Sequence, residues 1–288
     1  MLLWALMKVK VVLEKFINDL QSKNRSVSTI LAYRKDVEQL IEVTKDKEID
    51  AVTTKEIDKF KEKLAGDGYT AKSISRKINA IKSFFRFAKA NDYAKTDPSL
   101  SVAHPKYEVK TPRVLTKIEY RALRDTSRED TRMAAIIELL LQTGMRIGEL
   151  ARLEIKDINF DKKLITIRVY QSQSSRRVPL NDAAKKALKK YLDQRPKSKN
   201  QNFFLTKTGN QFLVRNIRSA VNRYFKIAGI KNARVNDLRN TFIVQQLKAG
   251  VPLVTVSKIV GHKRISTTEK YLELVGETGK ERVKLEEL

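Results

Sequence analysis

Along most of this 288-residue chain, apolar side chains recur every three or four positions. Only after residue 155 does that rhythm give way to alternation. Residues 164–170, LITIRVY, read as a strand, and 177–180, RVPL, read as the start of its partner. The polar run QSQSS supplies the turn between them. One hairpin cannot form a sheet core by itself, so the expected class is mainly α with a small antiparallel sheet.

A second signal divides the chain. Pro98, Pro105 and Pro112 fall among short polar residues between 91 and 112, where continuous helix is disfavoured. This stretch behaves as a linker. The expected limits are a first domain over 1–100, a connection over 101–112 and a second domain over 113–288.

Four helices are expected in the first domain. Residues 9–43 carry two helical patterns separated by KNRSVS, with Ser28 as N-cap of the second. Thr53 and Thr54 precede a third helix with Glu56 just inside it. The fourth, over 72–90, is the most regular. It turns Ile74, Ile78, Ile81, Phe84, Phe85 and Ala88 toward a core and carries Lys72, Arg76, Lys77, Lys82, Arg86 and Lys89 on its flank. Such a helix can pack within a bundle while its basic side meets phosphates.

The second domain opens with Thr116 and Glu119 in a capping-box arrangement. RMAAIIELLLQ, residues 132–142, is apolar enough to be a buried helix. Thr143-Gly144 breaks it and presents Arg146 at the start of the next. Glu149, three residues on, is expected to hold Arg146 in a bidentate pair, with Gly144 and Gly148 allowing close backbone approach. Helices are expected over 181–193, 213–228 and 236–249, with NFFLT as a short strand or extended turn and a final helix carrying Tyr271.

The formal net charge is +26, from 59 Lys and Arg against 33 Asp and Glu. It is unevenly spread, with 22 basic and 15 acidic residues in 1–110 against 37 and 18 in 111–288. A surplus of this size favours a polyanionic partner through counterion release. The competing reading is a lysine-rich, salt-bridged surface of the thermophilic kind. With no cysteine, disulfides and thiolate metal sites are excluded, and His104 and His262 alone cannot form a conventional zinc site. The apolar start MLLWALM is too short to cross a bilayer. An intracellular protein with no membrane partner is expected.

Chemistry concentrates late in the chain. Asn236 and Arg239 lie three apart, on one face of a helix. His262 follows a glycine, and Tyr271 comes nine residues later. A guanidinium, an amide, an imidazole and a phenol in this order can hold a phosphodiester and attack it.

Three segments, TGMRIGELARL (143–153), NDLRNTF (236–242) and GHKRISTTEKY (261–271), resemble in order and spacing the motifs of the tyrosine recombinases of the phage integrase family, particularly the Xer type. The resemblance implies a four-helix, SAM-like core-binding domain that clamps double-stranded DNA. It implies a catalytic domain in which Arg146 and Arg239 hold the scissile phosphate, with His262 and Asn236 beside them. Tyr271 would attack to leave a 3′-phosphotyrosyl link, without metal, ATP or another cofactor. It also implies a homo-oligomer, a monomer or dimer when free and a tetramer on two DNA sites. The charged tail, with Leu285 and Leu288 as anchors, would dock in trans on a neighbouring subunit. The setting it suggests is the nucleoid, in a Xer-like chromosome role.

Two departures from the pattern stand out. Asn236 occupies a position where the family has histidine. The family also places a lysine in the hairpin turn to protonate the leaving oxygen, and the residue aligned there is Gln171. Arg176 and Arg177 can stabilise charge nearby, but a guanidinium is a poor proton donor. Both an active recombinase and a cleavage-deficient DNA binder on the same scaffold are therefore open.

Overall fold

The computed structural model describes residues 7–108, 110–169 and 174–276. Expectations for Gln171, for Leu285 and Leu288 of the tail and for the first six residues lie outside these ranges. By its internal contacts the chain separates into two units, 1–109 and 110–288.

The first unit is built from α1 (Val9–Ser22), α2 (Val27–Thr44), α3 (Thr54–Gly66) and α4 (Ala71–Ala90). α2, α3 and α4 each begin at a side-chain cap. Thr53 and Glu56 form a reciprocal capping box on α3, and Thr70 accepts from the Ser73 N–H on α4. Ser26, rather than the expected Ser28, caps α2 by accepting from Thr29. The apolar stripe of α4 is buried as its spacing requires, with Ile78, Ile81, Phe84, Phe85 and Ala88 fully covered. Phe16 of α1 meets Phe84 edge-on at 5.6 Å between centroids. Each fully buried phenylalanine contributes about 1.5–3 kcal/mol.

Two charged groups, Asp36 and Lys77, lie inside this bundle among the described residues. Asp36 is 1% exposed and accepts a fork from Arg76, at 2.6 and 2.9 Å, and a bond from Lys77 at 2.8 Å. Lys77 also donates to Gln39 and lies over the ring of Tyr69.

The second unit contains α5 (Lys117–Ser127), α6 (Thr131–Thr143), α7 (Ile147–Ala151), α8 (Asp182–Asp193), α9 (Val214–Ile227), α10 (Val235–Lys248), α11 (Leu253–Val260) and α12 (Ser266–Glu269). Its sheet has β1 (Ile158–Asn159), β2 (Leu164–Ile167) and β3 (Arg176–Pro179), antiparallel in that order. The two-residue β1 was not legible in the sequence, and β2 ends at Ile167, short of the expected 170. The apolar α6 runs through the middle, packed against α8 and α10. NFFLT forms no strand. Isolated bridges hold it, from Asn202 to Glu154 and from Leu205 to Gln211, while Phe203 and Phe204 fill the core.

Register in the hairpin decides which basic residue turns inward. Ile165 faces Val178 and Ile167 faces Arg176 on the covered side, whereas Arg177 pairs with Thr166 on the outer side. Strand alternation therefore delivers Arg176 to the interior and Arg177 to solvent.

Candidate active site

The site begins where α6 stops. Gly144 takes a left-handed conformation, φ +59°, and a Cβ there would come within 2.4 Å of the Phe242 ring. Only glycine fits, and the turn that it makes brings Arg146 to the mouth of α7. Gly148 is under no such pressure, because its missing Cβ would meet nothing nearer than 3.5 Å.

Three guanidiniums from three elements converge on the C-terminal end of α11. Arg239, 5% exposed on α10, donates to the Gly144 carbonyl at 2.6 Å and to that of Val260 at 2.7 Å. Arg146 donates to the Gly261 carbonyl at 2.9 Å. Arg176, from β3, donates through Nε to the Ile259 carbonyl at 2.7 Å. The last carbonyls of a helix lack intrahelical partners and carry partial negative charge, so cations gather there favourably. Gly261 ends the helix in a left-handed conformation, φ +69°, with its Cα against the Arg176 guanidinium.

Glu149 lies among these cations, 7% exposed. The expected fork to Arg146 is replaced by one to Arg176, at 2.8 Å on each oxygen. Arg146 meets the carboxylate through its backbone N–H at 2.8 Å and one guanidinium nitrogen at 3.1 Å. The reason is geometric. Arg146 is the N-cap of α7 and Glu149 its third residue, so the carboxylate closes the helix start and leaves its outer face to Arg176. Burial raises the Glu149 carboxyl, but the Arg176 and Arg146 bonds outweigh it and hold it below its ordinary value.

Tyr271 follows α12 without belonging to it, at the entry to a single 3₁₀ turn, Leu272–Leu274. This corrects the expectation of a helical tyrosine. The residue is 8% exposed, and its hydroxyl donates to Asn240 Oδ1 at 2.9 Å. Asn236 donates to that same oxygen at 3.1 Å, and Asn240 in turn donates to the Arg113 carbonyl at 3.0 Å. Asn240 was missed in the sequence, although its i,i+4 spacing from Asn236 places both on one face of α10. His262 lies just past Gly261, in the turn between α11 and α12. Its ring stacks on Tyr271 at 6.3 Å between centroids, and its Nδ1 bonds Thr268 Oγ1 at 2.8 Å.

The electrostatics follow from crowding and burial. Burial, with Arg146 and Arg176 adding repulsion and Glu149 opposing, brings Arg239 down to about 9. Burial and the three guanidiniums bring His262 down to about 4, so its imidazole is neutral at physiological pH. Burial pushes the Tyr271 phenol up, with Asp237 adding to the shift and Arg239 opposing it.

Of the clefts that open on this cluster, two are lined by its arginines. The larger, about 770 Å³, is lined by Arg146, Arg239 and Asn236 together with Arg152, Arg168, Arg218 and Arg234. The last four were not singled out in the sequence. Arg218 and Asn222 lie one turn apart on α9 and face the same opening, the spacing that would have revealed them. The smaller, about 270 Å³, lies between Ser174–Arg176 of the hairpin and Gly261–Lys263, with Lys258 on its wall. Arg177 joins neither.

Of the basic residues expected on α4, Lys72, Arg76 and Arg86 are exposed and Lys82 is half-buried, with its ammonium near the Leu100 carbonyl. Lys77 is a correction. It is 5% exposed and committed to Asp36 and Gln39, because its place on the helix faces α2. Among the described residues no three His, Asp or Glu side chains gather as metal ligands would, and no helix is long and apolar enough to cross a membrane.

The phage integrase family profile matches residues 113–277, and the phage integrase N-terminal SAM-like domain matches residues 13–92. The chain belongs to the phage integrase family. Tyrosine recombinase XerD of Staphylococcus epidermidis is 32% identical over 91% of this chain and 94% of its own. Tyrosine recombinase XerC of Roseiflexus castenholzii is 29% identical over 91% and 88%. Among solved structures, XerA recombinase is 30% identical, with a TM-score of 0.53 over 91% of this chain and 92% of that one. The Tn1549 transposon integrase in complex with a circular intermediate DNA aligns with a TM-score of 0.79 at 20% identity, covering 92% and 95%. A lambda integrase tetramer bound to a Holliday junction gives 0.75 at 19%, covering 90% and 79%. These last two share the fold of this integrase-family chain.

Proposed function

We propose that this protein is a site-specific recombinase that cuts and rejoins double-stranded DNA through Tyr271. The observation that carries the reading is the convergence of Arg146, Arg239 and Arg176 on one helix end, with Tyr271 and His262 stacked on the segment that follows it. One carboxylate does not balance three guanidiniums, and a phosphodiester supplies the missing anion. Arg146 and Arg239 bind its non-bridging oxygens bidentately and stabilise the charge that builds there in the transition state. Asn236 adds an amide donor from the cleft wall.

The Tyr271 oxygen attacks phosphorus, the bond to the 5′-oxygen breaks, and a 3′-phosphotyrosyl ester remains. That ester keeps the energy of the original bond, so a 5′-hydroxyl can reverse the step without a nucleotide cofactor. A phenol in a buried site is a reluctant acid, and a nearby base helps remove its proton. His262 is neutral, so a ring nitrogen can accept a hydrogen bond as the phenolic proton passes to water. With Nδ1–H donating to Thr268, Nε2 carries the free lone pair.

On the first unit, Lys72 and Arg86 contact the DNA backbone through their exposed charges, while Arg76 is held by Asp36 and Lys82 is half-buried. Similarity to XerD and XerC supports a Xer-like role in chromosome partition within the cytoplasm. The lambda integrase complexes support action as dimers and tetramers on DNA. A second reading, a DNA binder that no longer cleaves, has its support in Asn236 at a histidine position and in the Tyr271 hydroxyl held by Asn240.

A cognate duplex selected from a random pool by tight binding separates the two. It is nicked beside the cleavage position and incubated with the wild type and with Tyr271→Phe. An SDS-stable, protease-sensitive DNA adduct formed by the wild type alone is the expected result. Tight binding with no adduct assigns the protein to the second reading.

A further inference from the structure

Breaking the bond to the 5′-oxygen requires a proton, because an alkoxide is a poor leaving group at neutral pH. The groups already placed in the reaction cannot give one. Arg146, Arg176 and Arg239 are engaged by the α11 carbonyls, by Glu149 and by the phosphate, Asn236 does not titrate, and Glu149 is ionised among arginines. His262 is held neutral and carries no acidic imidazolium. The hairpin brings no ammonium either, since the sequence has no lysine between Lys163 and Lys185.

Two ammonium groups do border the smaller cleft, Lys258 and Lys263, in the company of Arg176 and His262. Their backbones differ. Lys258 is on α11, and its carbonyl accepts the Gly261 N–H at 3.2 Å. The next two carbonyls along the chain hold Arg176 at 2.7 Å and Arg239 at 2.7 Å. Its Cα is thereby fixed relative to the guanidiniums that grip the phosphate. Lys263 lies in the turn between α11 and α12, beyond those anchors. No carboxylate among the described residues forms an ion pair with Lys258, so its protons remain available.

We propose that Lys258 is the general acid of this site, donating a proton from Nζ to the departing 5′-oxygen as Tyr271 Oη bonds to phosphorus. The assignment rests on the recombinase reading above. The phenolic proton passes to water, the P–O5′ electron pair stays on oxygen, and Lys258 becomes a neutral amine. Religation takes the proton back.

A leaving-group substitution tests the role directly. Cleavage is timed on the selected duplex and on the same duplex with sulfur replacing the bridging 5′-oxygen, since a thiolate departs without protonation. Lys258→Ala and Lys258→Arg should each lose about 10²–10⁴-fold on the oxygen substrate. Both should regain rates within a few-fold of wild type on the sulfur substrate, with duplex affinity unchanged. The arginine variant keeps charge while removing the acid, so it distinguishes proton donation from phosphate binding. Equal losses on both substrates, no loss at all, or the same rescue pattern in Lys263→Ala in place of Lys258→Ala overturns the assignment. A wild-type adduct accompanied by any of these outcomes leaves the recombinase reading standing. Absence of a wild-type adduct on a tightly bound duplex removes both.

Discussion

The two units each bury a carboxylate among cations, and the two arrangements are opposites. In the helical bundle, Asp36 is shared by Arg76 and Lys77, and Lys77 finishes its bonding with Gln39 and the Tyr69 ring. Nothing there needs a further anion. In the second unit, Glu149 is shared by Arg146 and Arg176 while Arg239 lies close behind, its surplus charge met only by backbone carbonyls. Carbonyl dipoles are weaker partners than a phosphate. The first cluster holds its unit together, and the second keeps cations ready for a substrate. A buried cluster can thus be read for function by asking whether its charges are satisfied without a ligand.

The sharpest break of that contrast is Arg239→Ala. DNA cleavage by the variant should fall about 10²–10³-fold, the usual cost of removing one pre-placed donor to a charged transition state. Its thermal midpoint should stay level or rise, because a crowded cation has been removed. A large loss of stability in a melting experiment would make Arg239 a structural residue like Lys77.

Asp36→Ala tests the opposite side. It leaves Lys77 buried beside no anion and should destabilise the first unit by about 3 kcal/mol, seen as a shift in urea midpoint. Adduct formation by the fraction that stays folded should be unchanged. Glu149→Gln falls between these cases. It keeps the shape but loses the charge on the Arg176 fork, with an expected cost of about 1–2 kcal/mol in stability and a drop in cleavage smaller than that of Arg239→Ala.

The smallest effect is a titration. His262 has its folded pKa lowered to about 4 from an ordinary 6.5. The unfolded chain therefore takes up this proton first, and the contribution of His262 to stability is complete above pH 6.5 and fades as pH falls toward 4. Its imidazole resonances should show a midpoint near 4. In Arg176→Gln the midpoint should move upward, and a midpoint near 6.5 in the wild type would show that neither burial nor the guanidiniums act on the ring.

The helices were largely legible in the sequence because their signals are local. Capping at Thr53 and Thr116, the stripe from Ile74 to Ala88 and the break at Gly144 each depend on neighbours within a turn or two. Candidate residues were legible as a set, through their order along the chain. Their partners were not. That Glu149 forks to Arg176 rather than Arg146 depends on hairpin register and on where β3 meets α11. That Tyr271 rests on Asn240 depends on packing across 31 residues. Lys77 was misassigned because a basic flank and a buried ammonium look alike until Asp36 is seen opposite.

The end of α11 carries one more implication, for which changes the segment tolerates. Its three arginine acceptors are the carbonyls of Ile259, Val260 and Gly261, and every amino acid supplies a carbonyl. Exchanging the side chain of Ile259 or Val260 leaves those acceptors in place. Adding or deleting one residue between Val256 and His262 rotates the helix end by about 100° and misdirects all three at once. In this part of the protein, the count of residues is constrained more tightly than their identity.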